Sequence, residues 1–303
     1  MSIHYYRFTS INAPTRQRSP RLEQLLSRCD DCTEITDWRA DAFRVIAPMT
    51  AMPGVGAVAL CAVRGAVEGA SVLMATPVRY VAEMNNVRLP ADGILSLSPA
   101  EAQALAGDFN RVWHDAGIRL LAEGAELFCV ANRPLQAVTQ DPGEILDQHI
   151  DRHLPSGDAA PRLRRLMSEI EMWLFEHAVN RSRIAAAAPA VNGLWLWGGG
   201  PVLASLPRIE GWTAGRDPFF GPYAALPQAQ GGAHSGVAVI AVEPGTVEWH
   251  GGESRRLERS VADLRSGRIL RIELSGGLRR FGVSARGSLR FWRRGRAWWE
   301  FFA

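Results

Sequence analysis

The sequence contains no lysine, and all 34 of its Lys+Arg residues are arginines. A chain without lysine can neither form a lysine Schiff base nor supply the lysine of a phosphate-binding P-loop, which excludes two large classes of enzyme. The simplest explanation is a GC-rich genome that encodes arginine wherever a base is needed. Arginine still offers a planar pair of donors that suits carboxylate and phosphate groups.

Long hydrophobic runs are also lacking. The longest, residues 55–63, is far shorter than the roughly 18 apolar residues that a membrane span requires. The sequence does not open on a basic and apolar leader. The 303 residues are 47% hydrophobic, which is enough for one large core or two ordinary ones. We therefore expect a globular, cytoplasmic protein that makes no membrane contact.

Cysteine is scarce, with four residues in the chain. Cys61 and Cys129 lie in apolar runs, which is typical of core thiols. Cys29 and Cys32 form a Cys-x-x-Cys pair that is either redox-active or half of a metal site. No second pair supplies the remaining ligands, so the pattern favours a structural role.

The order of sequence patterns predicts an α/β protein. The first 45 residues are expected to be irregular apart from a short helix at 22–29. Residues 76–133 predict two strands, a helix and two strands, with turns at Asn85-Asn86 and Glu123-Gly124 and a helix capped by Ser98. Helices are expected at 142–153 and 161–178, a strand at 193–197, and an irregular connector at 201–233. Strand, helix, strand, glycine turn and strand then complete the chain.

Residues 169–200 combine a helix, a His-x-x-Asn-x-x-Arg exit, a strand and three consecutive glycines. The exit residues are His177, Asn180 and Arg183. Glycines after a strand let backbone N–H groups approach an anion, but a simple turn explains them more often. The whole segment has a structural interpretation as well, in which the helix packs against the strand, His177 and Asn180 act as caps, and tryptophans fill the core.

Four histidines are candidates for a metal site. His149 and His153 are four residues apart on a predicted helix, but a zinc-protease motif needs glutamate where Ile150 stands. His234 and His250 lie beside glycines in predicted loops. A solvated helix face is the better interpretation of the first pair, and we predict no metal and no cofactor. Serine-hydrolase and dinucleotide-binding motifs are absent from the sequence as well.

Residues 290–296 alternate arginines with aromatic residues, and further aromatic residues follow to the end of the chain. Such a pattern can hold phosphates and stack bases. A net charge of only +3 argues against a dedicated nucleic-acid binder. We expect these aromatic residues to complete the core or to form a contact with a protein partner or a second copy of the chain.

The residues of 169–200 resemble two related families. The motifs Glu-Ile-Glu-Met at 169–172, His-Ala-Val-Asn at 177–180, Arg183 and Val-Asn-Gly-Leu-Trp-Leu-Trp-Gly-Gly-Gly at 191–200 resemble the bacterial RpfE-type regulatory proteins. The order continues outward through 75–79, 97–101 and 264–292. More distantly, the pattern His-x-Val-Asn, Arg, Asn-x-x-Trp-Leu-Trp-Gly-x-Gly is similar to the archaeal-type cofactor-independent phosphoglycerate mutases of the alkaline phosphatase superfamily.

This second resemblance implies an α/β fold: a degenerate alkaline-phosphatase-like core with an inserted ββαββ subdomain. It divides the chain into the N-terminal part of the core (1–75), the inserted subdomain (76–135), a helical pair with the strand and glycine loop (136–200), and the C-terminal part of the core (201–303). The superfamily requires acids at the end of an N-terminal strand, a Ser or Thr nucleophile, and later Asp and His ligands for two metals. The N-terminus here reads Ser-Ile-His-Tyr-Tyr-Arg-Phe, without such acids.

The resemblance therefore implies a non-catalytic regulatory or ligand-binding protein that retains an anion site for a small phosphorylated or carboxylate ligand. The predicted ligand residues are His177, Asn180, Arg183, Asn192, Gly198, Gly199, Gly200 and Arg79. One alternative is an atypical metal-dependent phosphotransferase that uses the histidines above. Another is an interaction module built on the C-terminal arginine and aromatic residues.

Overall fold

The computed structural model describes residues 2–9, 17–226, 234–241, 244, 246, 249–290, 293 and 295–302. The chain forms two compact units. Unit 1 comprises Met1–Met52 and Pro207–Ala303, and unit 2 comprises Pro53–Leu206. Both contain helices and strands, so the predicted α/β class is confirmed. The four-part division made from the sequence stays a prediction. Among the described residues, no helix combines the length and apolar character needed to cross a membrane.

The strands and helices are numbered along the chain. The strands are β1 (Ile3–Phe8), β2 (Asp31–Glu34), β3 (Ser71–Val78), β4 (Val81–Ala82), β5 (Val87–Leu89), β6 (Ile118–Glu123), β7 (Glu126–Ala131), β8 (Gln148–His149), β9 (Gly193–Pro201), β10 (Trp212–Ala214), β11 (Gly236–Ile240), β12 (Arg271–Gly276) and β13 (Arg279–Ser284). The helices are α1 (Pro20–Ser27), α2 (Trp38–Ile46), α3 (Val55–Arg64), α4 (Pro99–Val112), α5 (Ala160–Phe175), α6 (Ala178–Ala185), α7 (Gly221–Ala224), α8 (Ser254–Arg265) and α9 (Trp298–Phe302).

Unit 1 is built on a six-stranded sheet in the order β10-β11-β1-β12-β13-β2. Strands β10, β11, β1 and β12 are parallel, whereas β13 runs antiparallel to both of its neighbours. The short helix predicted at 22–29 is confirmed as α1, but the prediction that the rest of the first 45 residues is irregular is wrong, because this segment also contains β1, β2 and α2. Strand β1 lies inside the sheet and is buried on both faces, so it lacks the polar alternation that marks a half-exposed strand.

The two faces of this sheet differ in chemistry. Because side chains alternate along a strand, Tyr6 and Phe8 of β1 point to one face and Tyr5 and Arg7 to the other. The first face is apolar, and residues of α1, α8 and α9 complete its core. The second face carries a set of buried or half-buried residues, most of them polar, that we call the polar layer: Tyr5, Arg7, Trp38, Arg39, Asp41, Asp217, Glu273, Ser275 and Arg280.

Unit 2 contains an antiparallel four-stranded sheet in the order β6-β7-β3-β9 and a small sheet in the order β4-β5-β8. The predicted hairpin at Asn85-Asn86 is confirmed, although its first strand is only Val81–Ala82, while β3 joins the larger sheet. The second hairpin, β6–β7, is also confirmed. Helix α4 begins with the predicted capping box, in which Ser98 binds the Glu101 N–H and Glu101 binds the Ser98 N–H.

The predicted helix at 142–153 is wrong. A 3₁₀ turn at Pro142–Glu144, the short strand β8 and a second 3₁₀ turn at Ile150–His153 replace it. Asp147 has a φ of 61°, a left-handed conformation that ends a helix. Its carboxylate binds Arg88 and the Ala91 N–H, and His149 pairs with Arg88 across the small sheet. Strand pairing therefore overrides the local helical pattern.

Candidate functional site

His177 is the N-cap of α6. Its Nδ1 accepts a hydrogen bond from the Val179 N–H at 3.2 Å, and its Nε2 lies 3.1 Å from an Asp108 carboxylate oxygen. The Trp173 ring lies edge-on at 4.6 Å. Burial lowers the pKa of His177, and the Asp108 carboxylate opposes that shift. The imidazole therefore caps the start of α6 and bonds it to α4, which carries Asp108.

Asn180 pairs with the backbone on both sides of its amide. Its Nδ2 donates to the carbonyls of Leu174 and Val191, each at 2.7 Å, and its Oδ1 accepts from the Val191 N–H at 2.9 Å. Asn192 acts in the same way on Tyr80, accepting from its N–H at 2.7 Å and donating to its carbonyl at 2.9 Å. We call this arrangement an amide clamp. Each clamp joins backbone groups that the regular ladders leave open.

Arg183 lies 9% exposed. Its Nε donates to the Pro189 carbonyl at 2.7 Å, and one Nη donates to the Glu101 carboxylate at 2.8 Å and to the Ser96 carbonyl at 3.3 Å. Through these bonds Arg183 of α6 holds the segment after α6, at Pro189, and the start of α4, at Ser96 and Glu101. The guanidinium is therefore bonded within unit 2.

Arg79 forms an ion pair with Asp92, at 2.7 and 2.9 Å to the two carboxylate oxygens. Its Nε is buried without a hydrogen-bond partner among the described residues. Arg79 and Asn192 flank the same residue, Tyr80, because Asn192 clamps the Tyr80 backbone. The predicted ligand residues thus lie in two places. His177 and Arg183 lie where α6 contacts α4, whereas Arg79 and Asn192 lie where β3 ends and β9 begins.

The three glycines belong to β9 and permit a close backbone contact. A Cβ on Gly200 would lie 2.7 Å from the Gly54 Cα, and a Cβ on Gly198 would lie 2.7 Å from the Val55 Cβ. Gly198 also has a φ of 64°, and its N–H donates to the Thr139 hydroxyl at 3.0 Å. A Cβ on Gly199 would meet the Leu73 side chain at 3.3 Å. The glycines therefore let the start of α3 pack directly against β9.

Every predicted side chain of this set thus makes hydrogen bonds within unit 2. Their role as ligand residues stays a prediction, and a ligand at His177, Asn180 or Arg183 would have to replace bonds that hold helices and strands together. Sequence reasoning had recognised this structural alternative, with His177 as a cap.

The four histidines of the metal hypothesis are differently placed. His149 lies in β8 and His153 in a 3₁₀ turn, so they do not share a helix face. His153 Nδ1 lies 2.5 Å from the Gln140 side-chain oxygen, and the His234 carbonyl contacts the His4 ring. The side chain of His250 lies outside the described residues. Among the residues that the structure describes, no group of three or more His, Cys, Asp or Glu side chains could hold a metal ion.

The C-terminal aromatic residues complete the core of unit 1. Trp298 is fully buried and donates to the Gln17 carbonyl, and Phe301 and Phe302 pack against Phe281. In the preceding segment, Arg293 bonds to the Cys29 carbonyl at 3.0 Å. Phe291, Trp292 and Arg294 lie outside the described residues. The expectation that these aromatic residues complete the core is confirmed for α9.

Arg7 stands at the carboxyl end of β1, the strand at the centre of the parallel part of the sheet. It is 5% exposed. One Nη donates to the Ser275 hydroxyl at 3.1 Å and to the Gly277 carbonyl at 2.7 Å, both at the end of the neighbouring strand β12. The guanidinium carbon lies 4.9 Å from the centre of the Trp38 ring. A buried cation therefore occupies the place where ligands bind in open α/β sheets.

Trp38 lies between two arginines at the start of α2. Arg39 contacts the same ring at 4.6 Å and forms a buried ion pair with Asp217, at 2.8 and 3.1 Å. Asp217 also accepts from the backbone N–H groups of Phe219 and Phe220. Helix α2 is fixed at its start by Asp37, whose side chain accepts from the Ala40 N–H. These bonds hold Trp38 firmly beside Arg7.

A chain of ion pairs crosses the rest of the polar layer. Glu273 is bonded to Arg271 at 2.5 Å and lies 3.4 Å from Arg280, which binds both oxygens of Asp41 at 2.7 Å. Burial raises the pKa of Glu273, and its arginine neighbours oppose that shift. The Tyr5 hydroxyl is buried; burial raises its pKa, and the neighbouring Ser275 hydroxyl opposes that shift. A buried hydroxyl therefore lies in the same layer as Arg7.

The described residues at the end of β1 do not fit the two-metal centre that the resemblance implies. They are Arg7, Phe8 and Thr9, with Ser275 and Gly277 on the adjacent strand. A guanidinium has only donors and cannot coordinate a cation. Arg7 therefore cannot serve as a metal ligand at this strand end.

Sequence reasoning missed the polar layer. From the sequence, Arg7 is only one residue of an N-terminus that lacks acids. One signal was available: an arginine within the apolar stretch Tyr-Tyr-Arg-Phe has to be buried with partners, and buried arginines are uncommon. The partners come from more than 200 positions later in the sequence, so their identity was not predictable.

No model of a known protein family matches the chain. A 2,3-bisphosphoglycerate-independent phosphoglycerate mutase from Methanothrix thermoacetophila is 42% identical over 74 residues, which cover 24% of this chain and 19% of that protein. A probable 2,3-bisphosphoglycerate-independent phosphoglycerate mutase from Geobacter sulfurreducens is 34% identical over 108 residues, which cover 35% of this chain and 26% of that protein. The matched parts are thus well under two thirds of either relative.

Two solved structures overlap most of the chain at low similarity. The cofactor-independent phosphoglycerate mutase from Thermoplasma acidophilum has a TM-score of 0.36 and 14% identity, covering 93% of this chain and 89% of that one. The PH0037 protein from Pyrococcus horikoshii has a TM-score of 0.42 and 11% identity, covering 93% and 87%. The relationship therefore rests on the sequence matches, and the resemblance to RpfE-type proteins stays a prediction. Over the matched parts of its length, the chain is related to the 2,3-bisphosphoglycerate-independent phosphoglycerate mutases.

Proposed function

We propose that this protein is a non-catalytic, regulatory ligand-binding relative of the phosphoglycerate mutases, and that it binds a small anion with a phosphate or carboxylate group in the polar layer of unit 1. The observation that carries the proposal is Arg7, a buried guanidinium at the carboxyl end of the central parallel strand. Ligands of open α/β sheets bind at this edge, and arginine suits phosphate and carboxylate oxygens.

The neighbours of Arg7 support anion binding. The Ser275 and Tyr5 hydroxyls supply further O–H donors in the same layer. The Trp38 ring holds the guanidinium in place through a cation–π contact. A preorganised, buried donor set binds an anion without a large ordering cost.

The same charge argues against metal-dependent catalysis at this position. A guanidinium repels a divalent cation, and this repulsion grows as the surroundings become less like water. For the predicted set in unit 2, a ligand role is the weaker proposal, because the bonds of His177, Asn180 and Arg183 already join structural elements. Arg79, with its buried Nε, is the exception.

A thermal-shift titration with phosphoglycerate and with inorganic phosphate tests the binding site. A ligand at 100 times its Kd stabilises the protein by about 2.7 kcal/mol. We expect Arg7→Met to abolish the shift, since methionine keeps contact with Trp38 but removes the charge. The matched control is Arg183→Met, a second buried arginine, which should lower the melting temperature while leaving the ligand-induced shift intact.

The opposite pattern, with the shift lost in Arg183→Met and kept in Arg7→Met, would return the site to unit 2. A separate assay tests the non-catalytic part: phosphoglycerate incubated with wild-type protein and Mn²⁺ should remain unconverted. Isomerised phosphoglycerate would instead support the phosphotransferase alternative. The two measurements fail independently, because binding and turnover are read separately.

A further inference from the structure

The surface between α1 and α8 in unit 1 contains a cavity of about 340 Å³. Small-molecule sites span roughly 300–1,000 Å³, so this volume is at the lower end of their range. The cavity lies on the apolar face of the six-stranded sheet, whereas the polar layer lies on the other face. It is therefore distinct from the proposed anion site.

Apolar side chains form much of the lining. Leu25 comes from α1, Leu257 and Val261 from α8, and Trp249 from the turn before α8. Leu25, Leu257 and Trp249 are buried members of the apolar core, and Val261 is partly exposed and packs against them. An apolar body placed here would extend the existing core.

The charged part of the lining is predominantly basic. Arg21 bridges the two helices through an ion pair with Glu258, the lining's only acid among the described residues. Arg28 at the end of α1 and Arg265 in the last turn of α8 add two further positive charges. Arg265 is exposed to solvent. The described lining thus combines apolar side chains with a net positive formal charge.

We propose that this cavity binds a small organic anion with an apolar body, such as an alkyl or aryl carboxylate. The apolar body would contact Leu257, Val261 and Trp249, while the anionic group would lie beside Arg265. Charge complementarity favours this occupant over a neutral apolar molecule, and the apolar lining favours it over a nucleic acid, which binds through phosphate contacts and exposed stacking surfaces.

Two fluorescent probes with the same ring system test the proposal: anilinonaphthalene sulfonate, which is anionic, and phenylnaphthylamine, which is neutral. Folded wild-type protein should bind the sulfonate at least about tenfold more tightly, as expected for one charge-assisted contact. Arg265→Glu should weaken sulfonate binding by about tenfold or more for the same reason. Arg259→Glu is the matched control, since Arg259 is also an exposed arginine of α8 but does not line the cavity.

A third variant, Ala262→Phe, adds bulk at an exposed lining position and should weaken binding of both probes. Arg7→Met should leave sulfonate binding unchanged, which separates this cavity from the polar layer. Equal weakening by the two charge reversals would overturn the proposal, because it would show only a long-range charge effect. Unchanged binding in Ala262→Phe, or equal affinity for the two probes, would also overturn it.

Discussion

Arg7 in unit 1 and Arg183 in unit 2 are both buried arginines, yet their surroundings differ. Arg183 binds two carbonyls and a carboxylate that belong to loops and helix ends, so its guanidinium stabilises the packing of unit 2. Arg7 lies at the carboxyl end of parallel strands, where it donates to the Gly277 carbonyl and the Ser275 hydroxyl beside the Trp38 ring. The comparison teaches that a conspicuous polar motif can be architecture, and it is the reason that we propose the anion site at Arg7 rather than at Arg183.

The largest expected effect is on the Asn180 clamp. Asn180→Ala removes three hydrogen bonds at a position that is 4% exposed, and it leaves the Leu174 carbonyl and both backbone groups of Val191 without this partner. We expect the free energy of unfolding, measured by urea denaturation, to fall by about 3 kcal/mol.

Asn110→Ala is the matched control for that prediction. Asn110 clamps the N–H and carbonyl of Leu120 in the same way but is partly exposed, so its loss should cost about 1 kcal/mol. A change below about 0.5 kcal/mol in Asn180→Ala, the level of an ordinary surface substitution, would show that the amide is not architectural.

A smaller effect is expected at the glycine run. The Cβ of Gly200→Ala would meet backbone atoms of Gly54 at 2.7 Å, and backbone cannot move aside as a flexible side chain can. We expect a loss of about 2 kcal/mol in the free energy of unfolding. Gly107→Ala is the control: Gly107 lies in the interior of α4 with nothing near its Cβ position, so alanine should stabilise by about 0.5–1 kcal/mol. If both variants lose stability equally, the close contact between α3 and β9 is not the cause.

The smallest effect concerns pH. Burial lowers the pKa of His177 below its ordinary value of 6.5. The unfolded chain therefore takes up this proton at a higher pH than the folded chain, and the free energy of unfolding falls as the pH drops below about 6.5. His177→Asn keeps an N-cap acceptor and removes the titration.

The stability of His177→Asn should consequently depend less on pH between about pH 7 and pH 5, with a difference of at most about 1.4 kcal/mol per pH unit. His4, whose pKa is also lowered by burial, keeps a residual dependence in the variant. Parallel stability–pH curves for wild type and variant would contradict a buried, neutral His177 and reopen its role in ligand binding.

Elements with local signals were predictable from the sequence. The capping box at Ser98, the β6–β7 hairpin, helix α8 and the β12–β13 hairpin depend on neighbouring residues, and each is present. Strand β1 was missed because it is buried on both faces and pairs with strands more than 200 residues away. The helix at 142–153 failed because pairing of His149 with Arg88 prevails over local propensity.

In the candidate site, too, the contacts between neighbouring residues were predictable and the long-range contacts were not. His177 as a cap was anticipated, since its role depends on residues within the next turn. The partners of Asn180 and Arg183 were not predictable, because they depend on where the segment leading into β9 and the start of α4 lie in the folded unit. The neighbours of Arg7 come from β12 and α2 and were beyond any local pattern.

The clamp at Asn192 has a consequence for the chemical lifetime of the chain. Asn192 precedes Gly193, a pair in which the backbone nitrogen of the glycine readily attacks the asparagine side chain and releases ammonia. Glycine is required at 193, because a Cβ there would lie 2.5 Å from the Tyr80 ring. While unit 2 is folded, the two bonds to Tyr80 hold the amide away from that reaction. Each local opening exposes the amide, and the loss of ammonia makes the change irreversible. The resulting aspartate could no longer donate to the Tyr80 carbonyl, so chains without this clamp would accumulate with age.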